Sequence, residues 1–151
     1  MKTLYFDTSY LWRVYSMESG HAAVKGLLRQ AESLATAWHG RAEFAAVLVR
    51  KRREGADPAE FLDSLDQQFQ RDCESGLIRT LPLTEAVMRR LETTLRTAPG
   101  QTFLRCADAM HLACAAEHGF IEVYSSDRRF LASAPLFGLK GINIIGKAGS
   151  R

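Results

Sequence analysis

The sequence predicts an α/β domain on a central, mostly parallel sheet of about five strands flanked by helices, and three observations predict it. Short apolar strands alternate with helical stretches along nearly the whole chain. The stretches between the strands read as helices, the connections that a mostly parallel sheet uses. At 151 residues, 46% apolar and 25% charged, the chain has the size and balance of one globular domain. A single domain over 1–146 with a short C-terminal tail over 147–151 is expected, with no repeat, linker or low-complexity tract.

The elements follow in order. "TLYFD" is the first strand, ending at Asp7, and "SYLWRVYSM" is a helix with Thr8 or Ser9 as its N-cap. "HAAVKGLLRQAE" is a second helix and "SLATAW" a second strand. "GRAEFAAVLVRKRRE" is a helix whose apolar middle suggests burial and whose basic end stops at Gly55. "DPAEFLDSLDQQFQRDCES" starts with Asp57 at the N-cap and Pro58 in the first turn. "LIRTLPLT" carries the third strand, and "EAVMRRLETTLRTA" a helix ended by Pro99-Gly100. A nearly all-apolar helix covers roughly 103–118, "IEVYSS" is the fourth strand, "RRFLASAPLF" a short helix and "INII" the last strand.

Bulk charge excludes little. The net charge of +3, from 20 basic and 17 acidic residues, is mild for a nucleic-acid binder, although local patches matter more than totals. No apolar run approaches a membrane span, and the start "MKTLYFDTSYLW" lacks the long apolar stretch of a secretory leader. Cys73, Cys106 and Cys114 are odd in number and form no Cys-x-x-Cys pair, which predicts a reduced, cytoplasmic protein with three buried thiols.

The acidic residues carry the chemistry. In an open parallel sheet the carboxyl ends of the strands share one edge, so Asp7 and Asp127 point at a common crevice. Glu43 and Asp108 lie early in helices that open on the same edge. Asp108 is the odd one, because "CADAMHLACAA" is otherwise almost wholly apolar and buried carboxylates need compensation. Each acid also has a plain structural role open to it. Asp7 and Asp127 read equally as helix caps, Glu43 as a partner of Arg41 or Arg50, and Asp108 as a partner of Arg105.

Together, "YFDTSYL", "RAEFAAVL", "CADAMHLACAA" and "VYSSDRRF", in that order, resemble the PIN-domain ribonucleases, and the VapC-type toxins of toxin–antitoxin pairs in particular. The resemblance spans Asp7 to Asp127. It implies a PIN-like fold in which Asp7, Glu43, Asp108 and Asp127 bind one or two Mg²⁺ or Mn²⁺ ions and catalyse RNA hydrolysis. It makes Ser9 and Ser125 supporting hydroxyls for the first acid. It further implies 5′-phosphate and 3′-hydroxyl products, a homodimer, and a cognate antitoxin whose tail fills the acidic groove. Physics agrees with the ligand set. Two carboxylates about 4 Å apart repel by about 4 kcal/mol at an effective dielectric near 20, and a hard oxygen-seeking cation removes that penalty.

Arg128 and Arg129 adjoin the proposed crevice and are candidate RNA-phosphate contacts, while "RKRRE" reads as a solvated helix end with RNA contact as the alternative. His111, three residues after Asp108, reads better as a core or supporting histidine than as a ligand, and His21, His39 and His118 show no partner pattern. Trp12, Tyr15, Trp38 and Phe103 read as core or dimer contacts. Two other readings stand beside the toxin: a PIN-like module that only binds RNA or protein, and a nuclease outside any toxin–antitoxin pair. Phosphatase or receiver chemistry at Asp7 is disfavoured, because Ser9 stands where a second acid is needed and "LYFDTS" carries only one.

Overall fold

Strand β1 (Thr3–Tyr5) pairs in parallel with β2 (Ser33–Ala37), and β2 pairs in parallel with β3 (Ile78–Leu81), placing Thr3 opposite Ser33 and Leu34 opposite Ile78. This computed structural model describes residues 2–146, so the expected tail at 147–151 lies outside the described residues. A second parallel pair joins β4 (Glu122–Tyr124) to β5 (Lys140–Ile142). A bridge between Phe6 and Tyr124, with the Asp7 N–H donating to the Tyr124 carbonyl at 3.1 Å, brings β4 alongside β1. Five parallel strands therefore run β3-β2-β1-β4-β5, in number and direction as expected, with the order set by this bridge between the three-stranded sheet and the strand pair.

Alternation along the strands divides the core. Leu4, Phe6, Leu34 and Tyr124 pack on one face with α1 (Thr8–Tyr15), α2 (His21–Leu28), α3 (His39–Glu54) and α4 (Ala59–Glu74). Tyr5, Ala35 and Val123 pack on the other with α5 (Glu85–Arg96), α6 (Cys106–Glu117) and α7 (Arg128–Ser133). Among the described residues no helix is long and apolar enough to cross a membrane.

Several boundaries differ from expectation, each for a local reason. Of the candidate caps of α1, Asp7 rather than Thr8 or Ser9 is the one in place, because its side chain accepts the Tyr10 N–H. Pro58, rather than Asp57, is the cap of α4, since its extended ψ of 141° delays the first helical residue to Ala59. The last strand ends at Ile142 and does not run through "INII". There Asn143 Oδ1 accepts the Ile145 N–H, and the Tyr10 hydroxyl accepts the Ile144 N–H, so neither amide is left for a ladder. Helix α3 is not buried along its apolar middle: only a stripe of Gly40, Phe44 and Leu48 is, and Val49 is exposed. Helix α6 starts at Cys106, which places Asp108 in the first turn and leaves Cys106 exposed, so only two of the three thiols are buried.

Candidate active site

The carboxyl ends of β1, β2 and β4 open into one groove of about 410 Å³, and Asp7, Glu43, Asp108 and Asp127 all line it. Each arrives from a different element: Asp7 after β1, Glu43 on α3, Asp108 on α6 and Asp127 after β4.

Asp7 is the most enclosed, with 4% of its surface exposed. Ser9 Oγ donates to its Oδ1 at 2.6 Å, the Tyr10 N–H to the same oxygen at 3.1 Å, and Ser125 Oγ to its Oδ2 at 2.5 Å. Burial pushes the Asp7 carboxyl above the usual carboxylate range, and the hydrogen bonds from Ser125 and Ser9 only partly offset it. The two serines also tie the strand ends together. The Ser126 N–H donates to Ser9 Oγ at 3.0 Å and the Asp127 N–H to Ser125 Oγ at 2.9 Å.

Glu43 is held by side chains far away in sequence. Thr8 Oγ1 donates to its Oε1 at 2.8 Å, and His111 Nε2 lies 2.6 Å from the same oxygen. Burial raises Glu43, but the His111 and Thr8 contacts outweigh it and hold the group below its usual range. As a carboxylate it only accepts, so His111 Nε2 carries the proton. The buried Tyr5 phenol, kept protonated by desolvation, faces His111 Nδ1 at 2.7 Å. His111 is thus an almost fully buried supporting residue, and Glu43 pairs with neither Arg41 nor Arg50 in the structure.

Asp108 is half-buried. Burial raises its carboxyl, Arg105 opposes that rise, and the charges of Asp127 and Glu43 add to it. Asp127 Oδ1 accepts the Arg129 and Phe130 N–H groups, so Asp127 caps α7 as well as lining the groove. Its Oδ2 faces Arg105 Nη2 at 3.2 Å, and the same nitrogen lies 3.4 Å from Asp108 Oδ2. The structural role open to Asp108 in the sequence is therefore present: in its first-turn position it is within reach of the arginine three residues earlier.

Sequence reasoning missed several residues here. The ligand atoms of His39, Glu43 and His111 lie within 4.8 Å of one another, and the i,i+4 spacing of His39 and Glu43 was the available signal. Arg13, Arg50 and Arg105 line the groove, whereas Arg128 and Arg129 line a separate shallow hollow with Ala132. Trp38 and Phe103 are exposed, so neither is a core residue, and Arg41 stacks on the first at 4.8 Å and Arg129 on the second at 3.5 Å.

The family model of the PIN domain matches residues 4–134. No curated protein matches the chain in sequence. A Mycobacterium tuberculosis VapC toxin described as cleaving the sarcin–ricin loop is 19% identical with a TM-score of 0.67, over 86% of this chain and 94% of that one. A member of the VapBC toxin–antitoxin family from the same organism is 17% identical with a TM-score of 0.64, over 94% and 98%. FitAcB from Neisseria gonorrhoeae is 17% identical with a TM-score of 0.67, over 95% and 97%.

Proposed function

Because the chain belongs to the PIN-domain family, we propose that it is a Mg²⁺- or Mn²⁺-dependent endoribonuclease, the toxin of a type II toxin–antitoxin pair. The observation that carries this reading is the meeting of Asp7, Glu43, Asp108 and Asp127, from four separated segments, in one groove.

The donor set suits a divalent ion. These acids offer hard oxygen atoms at a solvent-open groove, as Mg²⁺ and Mn²⁺ prefer. Asp7 and Asp108 both sit above their usual range, chiefly because burial disfavours their charged form, a cost that a bound cation would offset. Asp108 Oδ2 and Asp127 Oδ2 already converge on one cationic centre, the Arg105 guanidinium. The four acids would hold the ion, which when bound supplies an activated water and neutralises charge building at phosphorus.

The chain's own groups do the positioning. Ser9 and Ser125 fix both oxygens of Asp7, while Thr8 and His111 fix Oε1 of Glu43, so the acids are oriented before anything binds. Arg13 and Arg50 set positive charge on the groove walls, where an RNA backbone would run. Arg128 and Arg129, at the start of the helix capped by Asp127, are the outer phosphate contacts in this reading. A cognate antitoxin belongs to this reading, supported by the toxin–antitoxin family member among the structural relatives, and a homodimer and a cytoplasmic location are proposed with it. The test is cleavage of RNA by the purified protein in Mg²⁺ or Mn²⁺. Activity that survives EDTA and Asp7→Asn overturns the proposal.

A further inference from the structure

The N-cap residue of helix α6 is an arginine, Arg105, whose side chain does something the four acids do not explain. The hydrogen bonds of the Arg105 side chain go to Asp108 and Asp127, and Nη2 is shared between Asp108 Oδ2 at 3.4 Å and Asp127 Oδ2 at 3.2 Å. The other groove arginines are engaged elsewhere. Arg13 is pinned to the Ser9 and Ser19 carbonyls and to Ser126 Oγ, and Arg50 lies 3.9 Å from Glu54.

We propose that Arg105 is a resident counterion that competes with a divalent metal for Asp108 and Asp127, and that it becomes a substrate-phosphate contact once displaced. This rests on the metal-dependent nuclease reading above. Three observations support it. A guanidinium nitrogen and a metal ion cannot share the space between the same two oxygens, since metal–oxygen distances are near 2.1 Å for Mg²⁺. The Arg105 side chain is 70% exposed, so its ion pairs are weak and readily exchanged. Its backbone stays anchored, because its carbonyl accepts the Ala109 N–H at 3.0 Å, so the exposed side chain can leave the acids without moving the helix. Displaced from the acids, a permanently charged planar fork at the groove wall matches a phosphodiester. The contact therefore suppresses like-charge repulsion in the metal-free protein and hands the same positive charge to the substrate in the loaded one.

The test measures two affinities with the full chain, for wild type, Arg105→Ala and Arg105→Lys. Mn²⁺ affinity is read by calorimetry, and binding of a short, non-cleavable 2′-O-methyl oligoribonucleotide by anisotropy with Mn²⁺ present. Arg105→Ala should bind Mn²⁺ roughly two- to fivefold tighter at low salt, the advantage fading at high salt. It should bind the oligonucleotide about three- to tenfold more weakly, with the salt slope reduced by about 0.7, the share of one phosphate on a single strand. Arg105→Lys should fall between. These opposite signs are not produced by misfolding or by a structural role. Unchanged Mn²⁺ affinity in Arg105→Ala, with wild type binding normally, overturns this inference alone, as does unchanged oligonucleotide affinity. Absence of any saturable Mn²⁺ site in wild type overturns the underlying reading and this inference with it.

Discussion

His111 Nε2 lies 2.6 Å from Glu43 Oε1 while its Nδ1 lies 2.7 Å from the Tyr5 hydroxyl, so one buried ring connects the first strand to an acid on the third helix. A buried polar chain of this kind is stabilising only while every member is satisfied. His111→Ala leaves the Tyr5 hydroxyl without that partner and opens a cavity, which should cost about 2–4 kcal/mol in chemical denaturation. Adding Tyr5→Phe should recover part of the loss, because the stranded phenol is removed with its partner. A double variant with fully additive losses would contradict the coupling.

Asp7→Asn separates stability from activity. Asparagine caps a helix as well as aspartate, and the substitution removes a buried carboxylate that desolvation disfavours. Thermal stability of the metal-free protein should therefore stay level or rise, while RNA cleavage falls on the order of a hundredfold or more. A large fall in melting temperature would show that Asp7 is mainly structural.

The same group sets a pH dependence. A carboxyl whose folded pKa lies above its unfolded value binds protons more tightly in the native state. Its contribution to stability is present below the unfolded pKa and is lost as pH rises through the raised folded pKa. Asp7 and Asp108 both behave this way, so metal-free protein should gain stability from them as pH is lowered from neutrality toward the carboxylate range. Asp7→Asn should flatten that part of the denaturation-versus-pH curve; an identical curve would contradict it.

Ser125→Ala removes the hydroxyl that donates to Asp7 Oδ2 and accepts the Asp127 N–H. A hydrogen bond to the charged form lowers a carboxyl's pKa, so its loss raises that of Asp7. The acidic limb of the activity profile should move to higher pH, with kcat falling at low pH more than at high pH. A uniform loss at all pH values would point to misplacement of Asp127 instead.

These contacts mark what the sequence made legible. Asp7, Ser9, Ser125 and Asp127 are close in sequence to strand ends, where local pattern fixes both the turn and the direction of the side chain. Glu43's partners were hidden, since His111 is 68 residues away and Thr8 is 35, and only the sheet order brings them together. Whether Trp38 and Phe103 lie in the core was not legible, because composition favours burying large aromatics, whereas here each stays exposed with one face against an arginine. Arg105 was visible as a possible Asp108 partner through its i,i+3 spacing, but its reach to Asp127 depends on β4 lying beside β1.

Metal should stabilise the fold by mass action. Mn²⁺ at a hundred times its Kd should add about 2.7 kcal/mol, which for a chain of this size is roughly 5–10 °C in melting temperature. The shift should disappear with excess EDTA and shrink sharply in Glu43→Gln. An equal shift in wild type and variant would place the bound ion away from the groove.

The most direct measurement is a calorimetric titration of Mn²⁺ into wild type, Asp7→Asn and Glu43→Gln, with folding of each checked by circular dichroism. Convergence of the four carboxylates on a common cation predicts a saturable site in wild type that is lost or greatly weakened in both folded variants. A wild type without saturable binding, or variants that bind as tightly as wild type, would contradict it.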